Sequence, residues 1–200
     1  MFLITFLVIL NLFISFFNAR SVGRIWAESK ALGGFIRLVV WAGAIQSAVG
    51  FTYCYSIVLG ALLYITGIFP KEVFTFMMSF VYIAIIVPLI GSAIIITIES
   101  WIVFFREKSL VNGGITVWNT FATIHDTYHA INSFGTVLKT VSGGFKTIFE
   151  SNGDDDDIKV KIILLAIFVA IIALGAGIFS TVLIIKKYTS SLPIPEGSCA

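Results

Sequence analysis

His125 and His129 are the only two histidines in the chain, and they stand four residues apart in IHDTYHAI with Asp126 between them. On a helix this spacing brings the two imidazoles to within about 40° of each other, close enough to share one metal ion. Zinc chemistry needs more than that: a third protein ligand and, in hydrolases carrying H-E-x-x-H, a glutamate as general base. Here Asp126 stands in for the glutamate with a side chain one methylene shorter, and no downstream third ligand is recognisable. Cys54 lies in an apolar run and Cys199 one residue from the end, so neither completes a set. Hydrogen-bonding histidines at a subunit contact are the expectation. A pH-sensitive contact ranks second, because imidazole titrates near neutrality, and metal binding or catalysis by His125 and His129 ranks third.

No nucleophile with its base, phosphate-cradling glycine loop or dinucleotide fingerprint occurs elsewhere, so no enzymatic activity and no cofactor are expected. The acidic run SNGDDDDIKVK lacks the glycine and terminal glutamate of a helix-loop-helix calcium site and reads as a solvated loop. Its aspartates precede an apolar helix, whose positive dipole end favours them. Glu99 closes a long apolar stretch. A pair with Arg37 or Arg106, holding neighbouring helices in register, is expected there; a proton relay is the weaker reading, since no second acidic residue lies in any span. Gln46, with Ser47, Thr52, Tyr53, Tyr55 and Ser56, forms a polar zone inside an otherwise apolar run. Helix-to-helix bonding is the first reading of that zone and a water-filled lining, shared among several chains in a ring, the second.

The elements that position these residues follow from composition. The 200 residues are 58% hydrophobic and 12% charged, with mean hydropathy +1.01 and net charge +2, which excludes an ordinary soluble domain and a nucleic-acid partner. An all-α, polytopic membrane protein is expected, with about four transmembrane helices. The opening MFLITFLVILNLFISFFNARS has no positive charge before its apolar core and carries bulky Phe17 where a signal peptide needs a small residue. Residues 2–18 are therefore read as a first membrane helix, and residues 19–37 as an amphipathic connector.

Residues 38–69 form the second predicted span, with a bend or close helix contact at Ala42–Gly50. Pro70 stops it. Residues 73–98 form the third, interrupted by Pro88 and Gly91, so that the region 1–108 holds three spans. Residues 109–157 supply an amphipathic helix and the acidic loop, residues 158–187 the fourth span, and residues 188–200 an extended tail.

The helix between the third and fourth spans reads from the steps of three and four between Val117, Phe121, Ile124, Tyr128, Ile131, Phe134 and Leu138. A bend or break is expected at Gly135 or Gly143–Gly144. Its other face is rich in threonine, serine and asparagine and poor in charge. That favours packing against another subunit, or another part of the same chain, over a lipid headgroup surface. Basic residues place 19–37 and 106–161 in the cytoplasm, against which Lys186 and Lys187 are an adverse signal.

These features predict a structural or accessory subunit of a larger membrane assembly, with the lipid bilayer and other protein subunits, identical or different, as partners. A homo-oligomeric pore is the rival and a membrane metalloenzyme the weaker one. The residues expected at helix pairs or interfaces are Arg37, Gln46, Gly50, Glu99, Arg106, Phe121, Tyr128, Gly175 and Gly177.

Overall fold

In the computed structural model the described residues are 2–32, 34–149 and 154–190. The expectations for Cys199, for the tail from residue 191 and for loop residues 150–153 lie outside them. The described chain is five helices: α1 (Phe2–Leu32), α2 (Gly34–Ile65), α3 (Lys71–Arg106), α4 (Leu110–Phe149) and α5 (Asp154–Thr189). Four of these contain segments long and apolar enough to cross a membrane: Leu3–Ser29, Gly34–Ile65, Lys71–Arg106 and Asp157–Thr189. Helices suit that setting because they satisfy their own backbone polar groups without water.

Several boundaries differ from the sequence reading. Residues 19–32 continue α1 as one helix, because Ala19 and Val22 are buried and Gly23 lies against the backbone of Ile185. α2 ends five residues before Pro70, where Gly67 takes φ +75° and the Phe69 N–H donates to the Leu63 carbonyl at 2.9 Å. A left-handed glycine just past a helix end is a common C-terminal cap. Pro70, at φ −60° and ψ 159°, is the N-cap of α3. α3 runs through Pro88 and Gly91 to Arg106, and α4 runs through Gly135, Gly143 and Gly144 without a break. At Gly144 the missing side chain makes room for the ring of Phe76, so this glycine serves contact and not bending.

Successive helices are antiparallel. Phe74 and Met77 near the start of α3 meet Gly60 near the end of α2. Phe145 near the end of α4 meets Phe76 and Phe80, and Ile163 of α5 shares a cavity with Glu72 of α3 and Gly144 of α4. At the far end of the bundle, Val22 of α1 and Val40 of α2 form a small core with Ile185 of α5, against which Trp26 rests. The main core joins Phe76, Met77, Val81 and Ile85 of α3 to Val49 of α2 and to Ala166, Val169 and Ala170 of α5. Outside it, large apolar side chains such as Leu3, Phe6, Phe13, Val87, Phe168 and Phe179 are more than half exposed, as an oily surrounding permits.

α4 meets α3 through hydroxyl groups. Thr116 Oγ1 donates to the Ser100 carbonyl at 2.9 Å, the Thr97 and Thr123 hydroxyls are 2.8 Å apart, and Trp101 Nε1 donates to Thr120 Oγ1 at 3.1 Å. The sequence offered another subunit or another part of the same chain for this face, and α3 takes the Thr116–Thr123 part of it.

Candidate functional site: a polar cleft between α1 and α4

Among the described residues, α4 makes no close backbone approach to α1 or α2, and α1 makes none to α3. The gap is a cleft of about 530 Å³ with α1 and α4 as walls and α2 and α3 as floor. Its lining is built at helical spacing. Asn11, Ser15 and Asn18 fall on one face of α1, and Asn119, Thr123 and Asp126 on one face of α4. α2 contributes Gln46, Gly50 and Tyr53, and α3 contributes Tyr82 and Thr97. On α1, α2 and α3 these positions fall well inside the candidate spans, away from either end.

Part of this polarity is satisfied within the fold. Asn18 Nδ2 donates to the Gly43 carbonyl at 3.2 Å, and Ser15 Oγ donates to Asn11 Oδ1 at 3.3 Å. Thr97 Oγ1 lies 3.2 Å from the Asn119 carbonyl oxygen and Thr123 Oγ1 3.3 Å from that of Ala93; because the two hydroxyls also bond to each other, the one that donates to its neighbour does not donate to its carbonyl as well. The side chains of Gln46, Tyr53, Tyr82 and Asn119 make no hydrogen bond among the described residues and are not buried without a partner either; they open into the cleft. Gly50 lets α1 lie close on α2 at the edge of the cleft, since a Cβ there would meet Asn11 Oδ1 at 3.0 Å and the Ser15 side chain.

Asp126 is the one charged residue in the lining. It lies 3.3 Å from His125 Nδ1, with the histidine 53% and the aspartate 39% exposed, so the pair sits at the open edge. The His125 and His129 rings are 4.3 Å apart, centroid to centroid, with Phe121 at 6.1 Å from the first and Tyr128 at 5.9 Å from the second. No group of three or more histidine, cysteine, aspartate or glutamate side chains stands ready for a metal ion among the described residues. The polar groups of this site are hydroxyls and amides set among the apolar side chains of Ile14, Val49, Ile85, Leu89 and Ile96, so its chemistry is hydrogen bonding to an occupant that also presents apolar surface.

The other predicted residues scatter. Glu99 forms no ion pair among the described residues; Arg106 lies two helical turns further along α3, and both Arg37 and Arg106 are exposed. Gly177 is buried under α2, where a Cβ would meet the Thr52 nitrogen at 2.7 Å and the Ala48 carbonyl oxygen at 2.9 Å. Gly175 faces open space. Phe121 and Tyr128 point outward, 62% and 64% exposed. In the polar zone of α2, Ser47 and Ser56 bond to their own helix, Tyr55 bonds to Ser180 of α5 at 2.8 Å, and Gln46 and Tyr53 turn to the cleft.

Sequence reasoning missed Asn11, Ser15, Asn18, Tyr82 and Thr97. The signal was present in α1, where steps of four and three keep three polar residues on one side of an otherwise apolar run.

No protein-family model, curated protein or solved structure matches this chain.

Proposed function

We propose that this chain is a non-enzymatic subunit of a larger membrane assembly, and that the cleft between α1 and α4 is where another polypeptide completes it. One observation carries the reading: the cleft holds the unbonded polar side chains of Gln46, Tyr53, Tyr82 and Asn119 and is open to the side at the depth of the membrane-crossing segments. Acyl chains offer neither donors nor acceptors, and an unsatisfied polar group in hydrocarbon costs several kcal/mol. A helix bearing amide or hydroxyl side chains supplies what Gln46, Tyr82 and Asn119 lack. The close-approach glycines and the threonine face of α4 do not need an outside partner, because α1, α2, α3 and α5 already occupy most of them.

A second reading is a homo-oligomeric pore, in which copies in a ring close their clefts around water. The near-neutral lining with the single carboxylate of Asp126 favours it, since such a surface passes small polar or cationic solutes without trapping them.

Extraction from native membranes in mild detergent, with mass determination, tests both. An unlike partner that falls at least tenfold in yield with Gln46→Leu plus Asn119→Leu supports the subunit. A ring of identical chains that conducts ions in vesicles supports the pore. A monomer under every mild condition overturns both, and one metal ion per chain, lost with His125→Ala plus His129→Ala, points to a metalloenzyme.

A further inference from the structure

By composition α4 is not among the helices apolar enough to cross a membrane. Its placement says otherwise. Thr116 meets Ser100, Thr123 meets Thr97, and Phe145 meets Phe76 with ring centroids 6.1 Å apart. Residue numbers rise along α4 as their partners fall along α3, in step from one end to the other. A helix that accompanies a membrane-crossing helix over its whole length shares its depth.

We propose that α4 is a fifth transmembrane helix, whose outward stripe faces lipid acyl chains and whose crossing puts residues 109 and 149 on opposite sides of the membrane. This does not depend on what fills the cleft.

The rotation of α4 fits that setting. Thr116, Thr120 and Thr123 turn to α3 and Asp126 to the cleft, while Val117, Phe121, Ile124, Tyr128 and Ile131 point away from the bundle, each more than 60% exposed. In water this polarity would be inverted, with the stripe inward. From Val117 to Leu138 the stripe spans about 32 Å at 1.5 Å per residue, against a hydrocarbon core of about 30 Å. Low mean hydropathy is what a helix shows when one arc meets hydroxyl-bearing protein, another a polar cleft, and only the third meets oil.

With five crossings every arginine of the chain, Arg20, Arg24, Arg37 and Arg106, lies toward the same end of the bundle as Lys186 and Lys187. The other end has five lysines, Lys71, Lys139, Lys146, Lys159 and Lys161, accompanied by Glu72 and Asp157, so the fifth crossing rests on the contacts along α3 and not on the charge count. With four crossings and a surface-lying α4, Lys186 and Lys187 oppose the positive-inside bias; with five they join it.

Single cysteines decide the matter in a background with Cys54→Ala and Cys199→Ser. Ser109→Cys and Phe149→Cys are exposed in turn to a membrane-impermeant maleimide in sealed, uniformly oriented vesicles. One site labelled at once, and the other only after permeabilisation, is the expected result; both reacting alike overturns the fifth crossing. A spin label at Ile131→Cys, or at Phe121→Cys if the first variant fails to elute as wild type, then reads the stripe in phosphatidylcholine vesicles. Relaxation by oxygen at least threefold stronger than by a water-soluble nickel chelate is expected. Dominance of the chelate, or protection from both agents, overturns the lipid-facing stripe.

Discussion

The α1–α2–α5 side of the molecule and the α3–α4 hairpin hold their helices together by different means. On the first side glycine removes side chains where backbones meet. Gly23 lies under Ile185 and Tyr188, Gly43 under Val22, and Gly177 under Thr52 and Ala48. Across the hairpin the contacts toward the Arg106 end of α3 are hydroxyl bonds, Thr116 to Ser100, Thr97 to Thr123 and Thr120 to Trp101, and at the other end a glycine, Gly144, admits a ring, that of Phe76. Between helices in oil no hydrophobic force drives association, so close van der Waals contact and hydrogen bonding carry it. The glycine side is sterically exclusive. The hydroxyl side is held by bonds that average about 0.6 kcal/mol each in membrane proteins, and is the softer of the two.

Gly177→Leu breaks the first side hardest: a Cβ 2.7 Å from the Thr52 nitrogen must push α2 and α5 apart. A loss of about 3 kcal/mol is expected, read as lower denaturing-detergent resistance of the purified protein. Gly175→Leu, two residues away and facing open space, is the paired control and changes stability by about 0.5 kcal/mol at most. Equal losses from the two would show that helix propensity, and not contact, sets the effect.

On the hairpin, Thr116→Val removes a buried hydroxyl that donates to the carbonyls of Ser100 and Asn112, at 2.9 and 2.8 Å. About 1 kcal/mol is expected. A double-mutant cycle of Thr97→Val and Thr123→Val sharpens this, with a coupling of about 0.6 kcal/mol. Zero coupling would mean that each threonine is satisfied by its backbone carbonyl alone. The smallest effect is at the histidines. His125→Gln with His129→Gln lies on an exposed edge and shifts stability by about 0.5 kcal/mol at most, with or without a chelator in the same denaturation assay.

The helices were legible in the sequence because unbroken runs of Leu, Ile, Phe and Val leave no other way to satisfy a backbone in oil. Their ends were less so. Gly67 marked the end of α2 better than Pro70, because a left-handed φ can be met by glycine at no steric cost, whereas proline is equally at home before a helix. α3 continues through Pro88 and Gly91, and α4 through Gly135 and Gly143, where the sequence pattern pointed to interruptions; the three glycines have open space beside them, and at Gly144 the place of a side chain is taken by the Phe76 ring. Among the described residues Glu99 stands without an ion pair, and Arg37 and Arg106 are exposed.

Of the cleft, Gln46 and Tyr53 were visible as polar residues out of place. Asn11, Ser15 and Asn18 were overlooked, because a membrane run tolerates an isolated amide or hydroxyl, and only a shared face gives three of them meaning. That face could not be aimed at a partner without knowing which helices stay apart.

Hydropathy and periodicity, both local properties, determined from the sequence alone that the chain is helical and built for oil. Which polar residues are satisfied inside the fold, which glycines are already used and where a gap remains were decided by the tertiary structure. Those outcomes depend on the rotation of each helix about its axis and on contacts between residues more than a hundred positions apart, such as Tyr55 with Ser180 and Gly23 with Thr189. A helix presents all its faces in sequence, and only its neighbours decide which of them meets protein, cleft or lipid.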